Sequence, residues 1–130
     1  MNPTSNAPLR VLVVEDSTLA VDQIREILNE VPAPMDIRVA QAQNDALATA
    51  QNFVPDVVVL DLQLKQGTGF GVLKALGTKS PKPKFIVLTN YALPNYRNYA
   101  LLAGADYFLD KSKDIQVLQF VVESIARARD

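Results

Sequence analysis

The chain has 130 residues, 48% of them hydrophobic, which suits one domain with one sizeable core. Its formal net charge is -1, so the charge balance gives no case for nucleic acid or an anionic membrane as partner. Cysteine and histidine are both absent. That removes disulfides, thiolate and imidazole metal sites, a Ser-His catalytic pair and a phosphohistidine, and it fits a reducing, cytoplasmic setting. No apolar run approaches the roughly 20 residues of a membrane span. Met1 to Pro8 lacks the basic and apolar regions of a signal peptide and reads as a short disordered tail before one domain over 9–130.

The first strand is Leu9 to Val14, and it ends in Glu15-Asp16. Ser17 or Asp16 can cap the helix that follows, whose Ala20, Ile24, Ile27, Leu28 and Val31 repeat at helical spacing. Pro32 and Pro34 stop it. Ile37 to Ala40 alternates apolar and polar, as expected of a strand nearer an edge. Asn44 is the expected cap of a second helix carrying Leu47, Ala50 and Phe53.

Asp56 to Asp61, Asp-Val-Val-Val-Leu-Asp, is the segment around which the rest is arranged. Its β-branched run suits a strand buried on both faces of a parallel sheet. The loop 62–69 contains Gly67 and Gly69, both expected to serve turns of positive φ. A short third helix is expected over Phe70 to Leu76, then a Lys/Pro/Ser loop. The fourth strand, Phe85 to Leu88, ends in Thr89-Asn90. Pro94 or Asn95 opens a fourth helix that Gly104 ends. Tyr107 to Leu109 is the fifth strand, ending in Asp110-Lys111. Asp114 is the expected cap of a fifth helix with Ile115, Leu118, Val122 and Ile125 inward.

Five strand–helix units in succession predict an α/β domain, a doubly wound (βα)5 parallel sheet with helices on both faces. In such a sheet all strand C-termini share one edge, where ligands bind. Glu15, Asp16, Asp61, Thr89 and Lys111 would meet there. Taken singly, each is a turn, cap or solvated residue. Together, three carboxylates demand a cation, and oxygen ligands without His or Cys favour Mg²⁺, Ca²⁺ or Mn²⁺. A carboxylate beside such an ion can attack phosphorus, with Lys111 and Thr89 stabilising the phosphoryl oxygens. Asp61, from the central strand, is the expected acceptor.

Five segments in order resemble the response-regulator receiver family of two-component signalling. They are Val-Leu-Val-Val-Glu-Asp-Ser (11–17), Asp-Val-Val-Val-Leu-Asp-Leu (56–62), Gly69, Val-Leu-Thr (87–89) and Gly-Ala-Asp-Tyr-Phe-Leu-Asp-Lys (104–111). The resemblance implies a flavodoxin-like five-stranded sheet in the order 2-1-3-4-5. It implies a phosphoacceptor at Asp61, and Mg²⁺, with Mn²⁺ as a substitute, held by Glu15, Asp16, Asp61 and the backbone carbonyl of Gln63. It also implies a switch hydroxyl at Thr89, a switch aromatic at Phe108 and a phosphoryl-contacting Lys111. The donor would be a histidine kinase or a histidine phosphotransfer protein. A downstream protein target would bind the face of helix 4, strand 5 and helix 5, on a monomer or weak homodimer. With nothing after Asp130, output by protein binding from a single-domain regulator is expected, without turnover of an external substrate. Lys65 and Ser112 stand where Pro is usual in the family. The first predicts a more mobile loop after Asp61, and the second removes the usual cis peptide. Asn90 stands where a smaller residue is commoner and would narrow access to Asp61. Two other readings compete. One is a pseudo-receiver that binds partners without phosphate. The other is an Asp-nucleophile phosphatase, disfavoured by Gln63 where such enzymes carry a second Asp.

Overall fold

The computed structural model describes residues 7–129, so of the expected tail residues 1–6 lie outside the described residues. Ten elements alternate: β1 (Leu9–Val14), α1 (Thr18–Asn29), β2 (Met35–Ala40), α2 (Gln43–Asn52), β3 (Val57–Leu60), α3 (Gly69–Leu76), β4 (Lys84–Thr89), α4 (Pro94–Leu102), β5 (Tyr107–Asp110) and α5 (Val117–Ala128). The five strands form one sheet in the order β2-β1-β3-β4-β5. Every pairing is parallel. The expected doubly wound α/β architecture is therefore the observed one.

Strand side chains alternate between faces, and here both faces are buried. Leu12 and Val14, Val58 and Leu60, and Phe85 and Val87 face α2, α3 and α4, packing with Ala46, Val72, Leu73, Leu76 and Ala100. The intervening residues, Val11, Val13, Val57, Val59, Ile86 and Leu88, face α1 and α5 and pack with Ile24, Leu28, Leu118 and Val122. That double burial is why β3 reads as an unbroken apolar run. β2 lies at the edge and is half-buried through most of its length, as its mixed sequence predicts.

Register then sets the rim. Val14 pairs with Leu60, so Glu15 and Asp61 leave the sheet side by side. Thr89 pairs with Asp110, and the Lys111 N–H donates to the Thr89 carbonyl at 2.9 Å. The opposite edge is tied by Asp56, whose Oδ2 accepts the Arg10 N–H at 2.8 Å and lies 3.6 Å from an Arg129 guanidinium nitrogen. Arg129 also donates to the Ala7 carbonyl.

Helix starts departed from expectation in two places. α2 begins at Gln43 after Ala42, not under an Asn44 cap. The Gln43 N–H is drawn to the Gln66 carbonyl, which places Asn44 inside the first turn. α5 begins only at Val117, because Asp114 Oδ2 accepts the Asp110 N–H at 3.0 Å and closes a turn instead of capping a helix. Ser17 does cap α1, accepting the Ala20 N–H at 3.2 Å.

The two loop glycines differ. Gly67 has φ +81°, as expected. Gly69 has no positive φ, and it is required for another reason. A Cβ there would lie 2.1 Å from the Asp61 carbonyl oxygen, a backbone atom that no rotamer change can move. Gly69→Ala is expected to push α3 away from the end of β3 and to cost about 1–3 kcal/mol of stability, as overpacking does. Urea unfolding beside wild type measures it, and an unchanged midpoint would contradict the steric reading.

Candidate phosphoacceptor site at the strand rim

Asp61 follows the last residue of β3, and its N–H donates to the Val14 carbonyl at 3.1 Å, continuing the β1–β3 ladder. It is buried, as are Glu15 and Thr89. Lys111, one residue past β5, places Nζ between two of these groups. The ammonium donates to Glu15 Oε1 at 2.5 Å and to Asp61 Oδ2 at 2.7 Å. The three side chains are 3%, 9% and 11% exposed for Glu15, Asp61 and Lys111, so this is a water-poor ion cluster and not a surface pair. Burial alone would lower the Lys111 pKa. Hydrogen bonds that the ammonium donates to Asp61 and Glu15, with the charges those carboxylates carry, outweigh it and hold the ammonium above its ordinary value.

Each carboxylate has a second tie. Asp61 Oδ1 accepts the Gln63 N–H at 3.1 Å. Glu15 Oε2 accepts the Ser17 N–H at 3.0 Å. Asp16 turns elsewhere, its Oδ2 accepting the Lys65 N–H at 2.5 Å. Thr89 Oγ1 accepts the Tyr91 N–H at 3.2 Å. Phe108 is buried on the α4 side of the sheet, in the cluster that contains Ala100 and Tyr96. Asn90 is exposed and lines an open cleft of about 430 Å³ with Ser17, Lys111 and Ser112.

Sequence order therefore placed Glu15, Asp61 and Lys111 correctly as one cluster, with Thr89 on the neighbouring strand end. Asp16 is on the same rim but tied to the loop. The donor set suits a hard cation chemically, being carboxylate oxygen without nitrogen or sulfur. Its arrangement is not a closed cage: among the described residues no three acidic groups come together to hold a metal ion.

Against the expectation of a more mobile loop after Asp61 stand the ties the structure gives it. It is bound through the Lys65 N–H to Asp16, by a bridge between Gln63 and Thr68, and by the Thr68 N–H to Gln43 Oε1 at 3.0 Å. A residue with an N–H at position 65 makes the first of these bonds possible, and proline has none. Gln43 escaped sequence reasoning because its contacts lie 25 residues away and leave no local pattern. At position 112 the cis peptide of the described residues falls elsewhere, at Ser80-Pro81. Ser112 instead donates its hydroxyl at 2.7 Å and its N–H at 2.9 Å to Asp110 Oδ1.

Fold and rim together define a flavodoxin-like α/β domain with a lysine-paired carboxylate at its ligand-binding edge. The family description "Response regulator receiver domain" matches residues 11–123. The chain belongs to that family, the receiver domains of two-component systems. It is 36% identical over 84 residues to protein-glutamate methylesterase/protein-glutamine glutaminase 5 of Myxococcus xanthus, covering 65% of this chain and 24% of that protein. It is 32% identical over 118 residues to the sensory transduction protein LytT of Bacillus cereus, covering 85% and 46%. The chain thus spans less than half the length of either relative. Among solved structures, the response regulator domain of Thermotoga maritima CheB superposes with a TM-score of 0.79 at 26% identity, over 94% of this chain and 96% of that one. The Mn²⁺-bound form of response regulator Rcp1 shares the fold, with a TM-score of 0.76 at 22% identity over 93% and 94%. Among the described residues no helix is long and apolar enough to cross a membrane.

The turn after β5 carries a pH prediction. Asp110 is held below its ordinary carboxylate pKa, chiefly by the Ser112 hydroxyl and then by the Ser112 N–H. A lowered folded-state pKa stabilises the fold above the ordinary carboxylate range, and the contribution fades as pH falls through the lowered value. Ser112→Ala is expected to raise the Asp110 pKa toward its ordinary value, read from its carboxyl ¹³C shift. The stability gap between the two proteins is expected to shrink in acid. A carboxyl titration identical in both would contradict this.

Proposed function

We propose that this chain takes a phosphoryl group on Asp61 from a histidine kinase or histidine phosphotransfer protein, and that the modification switches a protein-binding surface. The observation that carries the reading is the Lys111 ammonium 2.7 Å from Asp61 Oδ2, at a buried strand end. An Asp61 oxygen attacks phosphorus. The new O–P bond forms as the bond from phosphorus to the donor's imidazole nitrogen breaks, and that nitrogen keeps the electron pair. Lys111 is placed to donate to the transferring phosphoryl oxygens. Glu15, Asp16, Asp61 and the Gln63 carbonyl would hold Mg²⁺, or Mn²⁺ in its place. The ion when bound supplies positive charge against those oxygens. Gln63 offers no general acid two residues past the acceptor, so acceptance rather than phosphatase turnover is the chemistry proposed.

A phosphoryl group adds about -1.5 to -2 of charge beside Lys111 and Thr89. Thr89 would trade the Tyr91 N–H for a phosphoryl oxygen, and Phe108 would answer in the core beneath α4. That helix is suited to move, since Ala100 is its one buried residue. Tyr99, Leu102, Val117 and Phe120 are exposed along α4 and α5, which fits a surface for a downstream protein.

Incubation with Mg²⁺ and acetyl phosphate, followed by intact mass, tests the acceptor. Wild type is expected to gain one phosphoryl group and Asp61→Asn none. Lys111→Met is expected to slow the gain on the order of 10²-fold, the usual loss for one oxyanion donor. No gain in wild type, with beryllofluoride also failing to bind, would give the site to a phosphorylation-independent interaction module.

A further inference from the structure

The acidic rim is divided between two holders. Glu15 and Asp61 belong to the Lys111 ammonium, while Asp16 belongs to the loop between β3 and α3. The loop is itself seated on Gln43, at the start of α2. The Gln43 N–H donates to the Gln66 carbonyl at 3.1 Å, and its Oε1 accepts the Thr68 N–H at 3.0 Å. The seat is closely shaped. A Cβ on Gly67 would lie 2.4 Å from Gln43 Cβ, and one on Gly71 would lie 2.3 Å from Gln43 Nε2. Two glycines thus make room for one glutamine, and the loop so fixed presents the Lys65 N–H to Asp16.

We propose that Gln43 and the Lys65 N–H form a latch that holds Asp16 away from Glu15 and Asp61, so that a divalent cation binds only as the latch opens. The proposal rests on the reading of these carboxylates as the cation ligands. It accounts for the absence of a three-acid cage among the described residues. Asp16 must give up a charge-assisted hydrogen bond to join the ion, and a bond of that kind lowers the cation affinity by about tenfold. Gln43 acts through the loop and is a positioning residue. The residue type at 65 decides whether the latch exists, because proline would remove its only donor.

The experiment uses the full chain and Mn²⁺, with the free ion followed by electron paramagnetic resonance. Gln43→Ala is expected to tighten the Mn²⁺ Kd by about tenfold. Lys65→Pro is expected to bind more tightly by the same factor than Lys65→Ala, which loses the same side-chain charge but keeps the N–H. In wild type, the Lys65 amide proton is expected to move upfield as Mg²⁺ is added, because its hydrogen bond breaks. This last readout needs no variant and stands even if Lys65→Pro fails to fold. An amide resonance unmoved at saturating Mg²⁺, or equal Kd values for Lys65→Pro and Lys65→Ala, would overturn the latch while leaving the cation site intact. Failure of wild type and variants alike to bind Mn²⁺ would overturn the ligand assignment and the latch with it.

Discussion

One ammonium group decides what the rim of this sheet can be. Glu15 and Asp61 are brought together by the β1–β3 register and are both buried. Two carboxylates so placed repel, and each loses several kcal/mol of hydration. Lys111 answers both at once, from the next residue past β5. A cluster of this kind is a poor way to gain stability, since apolar residues of like volume often do as well or better. What it does is keep a charged carboxylate in a dry place with a donor already aimed at it. The Gly69 contact and the Ser17 and Gln63 amides help to keep those charges where they are.

The backbone does much of that positioning. Glu15, Asp16, Asp61 and Thr89 each accept from a main-chain N–H. Amides fixed by strand ends and a helix cap move little, so the carboxylates are oriented without spending flexible side chains on the task. The loop after β3 is held in the same manner, by Gln43 and by the close approach of Gly69 to Asp61. Burial is thinnest instead in α4, with Ala100 its single buried residue, and aromatic contacts flank it. Phe70 meets Tyr99 edge-on at 5.3 Å, and Tyr91 meets Tyr96 at 6.4 Å.

What could be read from the sequence was whatever is written locally. The runs at 11–14, 57–60 and 85–88 are buried on both faces and so are apolar without interruption. The acidic, hydroxyl and basic residues that end them follow directly in the chain, so the rim was legible as soon as the strands were. Less was visible where a residue's duty is set by something distant. Asn44 and Asp114 have good capping chemistry, yet Gln66 fixes the start of α2 and Asp110 takes up Asp114. Gly69 looked like a turn glycine, when its lack of a side chain is what matters. At Lys65 the missing proline ring was weighed and the N–H that comes in its place, bonded to Asp16, was not.

The bond between Arg129 and Ala7, with Asp56 beneath it, has a consequence for topology. The two ends of the described chain meet at the edge of the sheet opposite Asp61. A short peptide joining Ala7 and Arg129 would leave the Asp61 edge untouched, which makes the described domain a natural subject for circular permutation. New termini could then be cut into the exposed stretch around Lys79 and Ser80. By the same geometry, a group attached at Ala7 or Arg129 would sit at the sheet edge away from Asp61, tethered but out of the way.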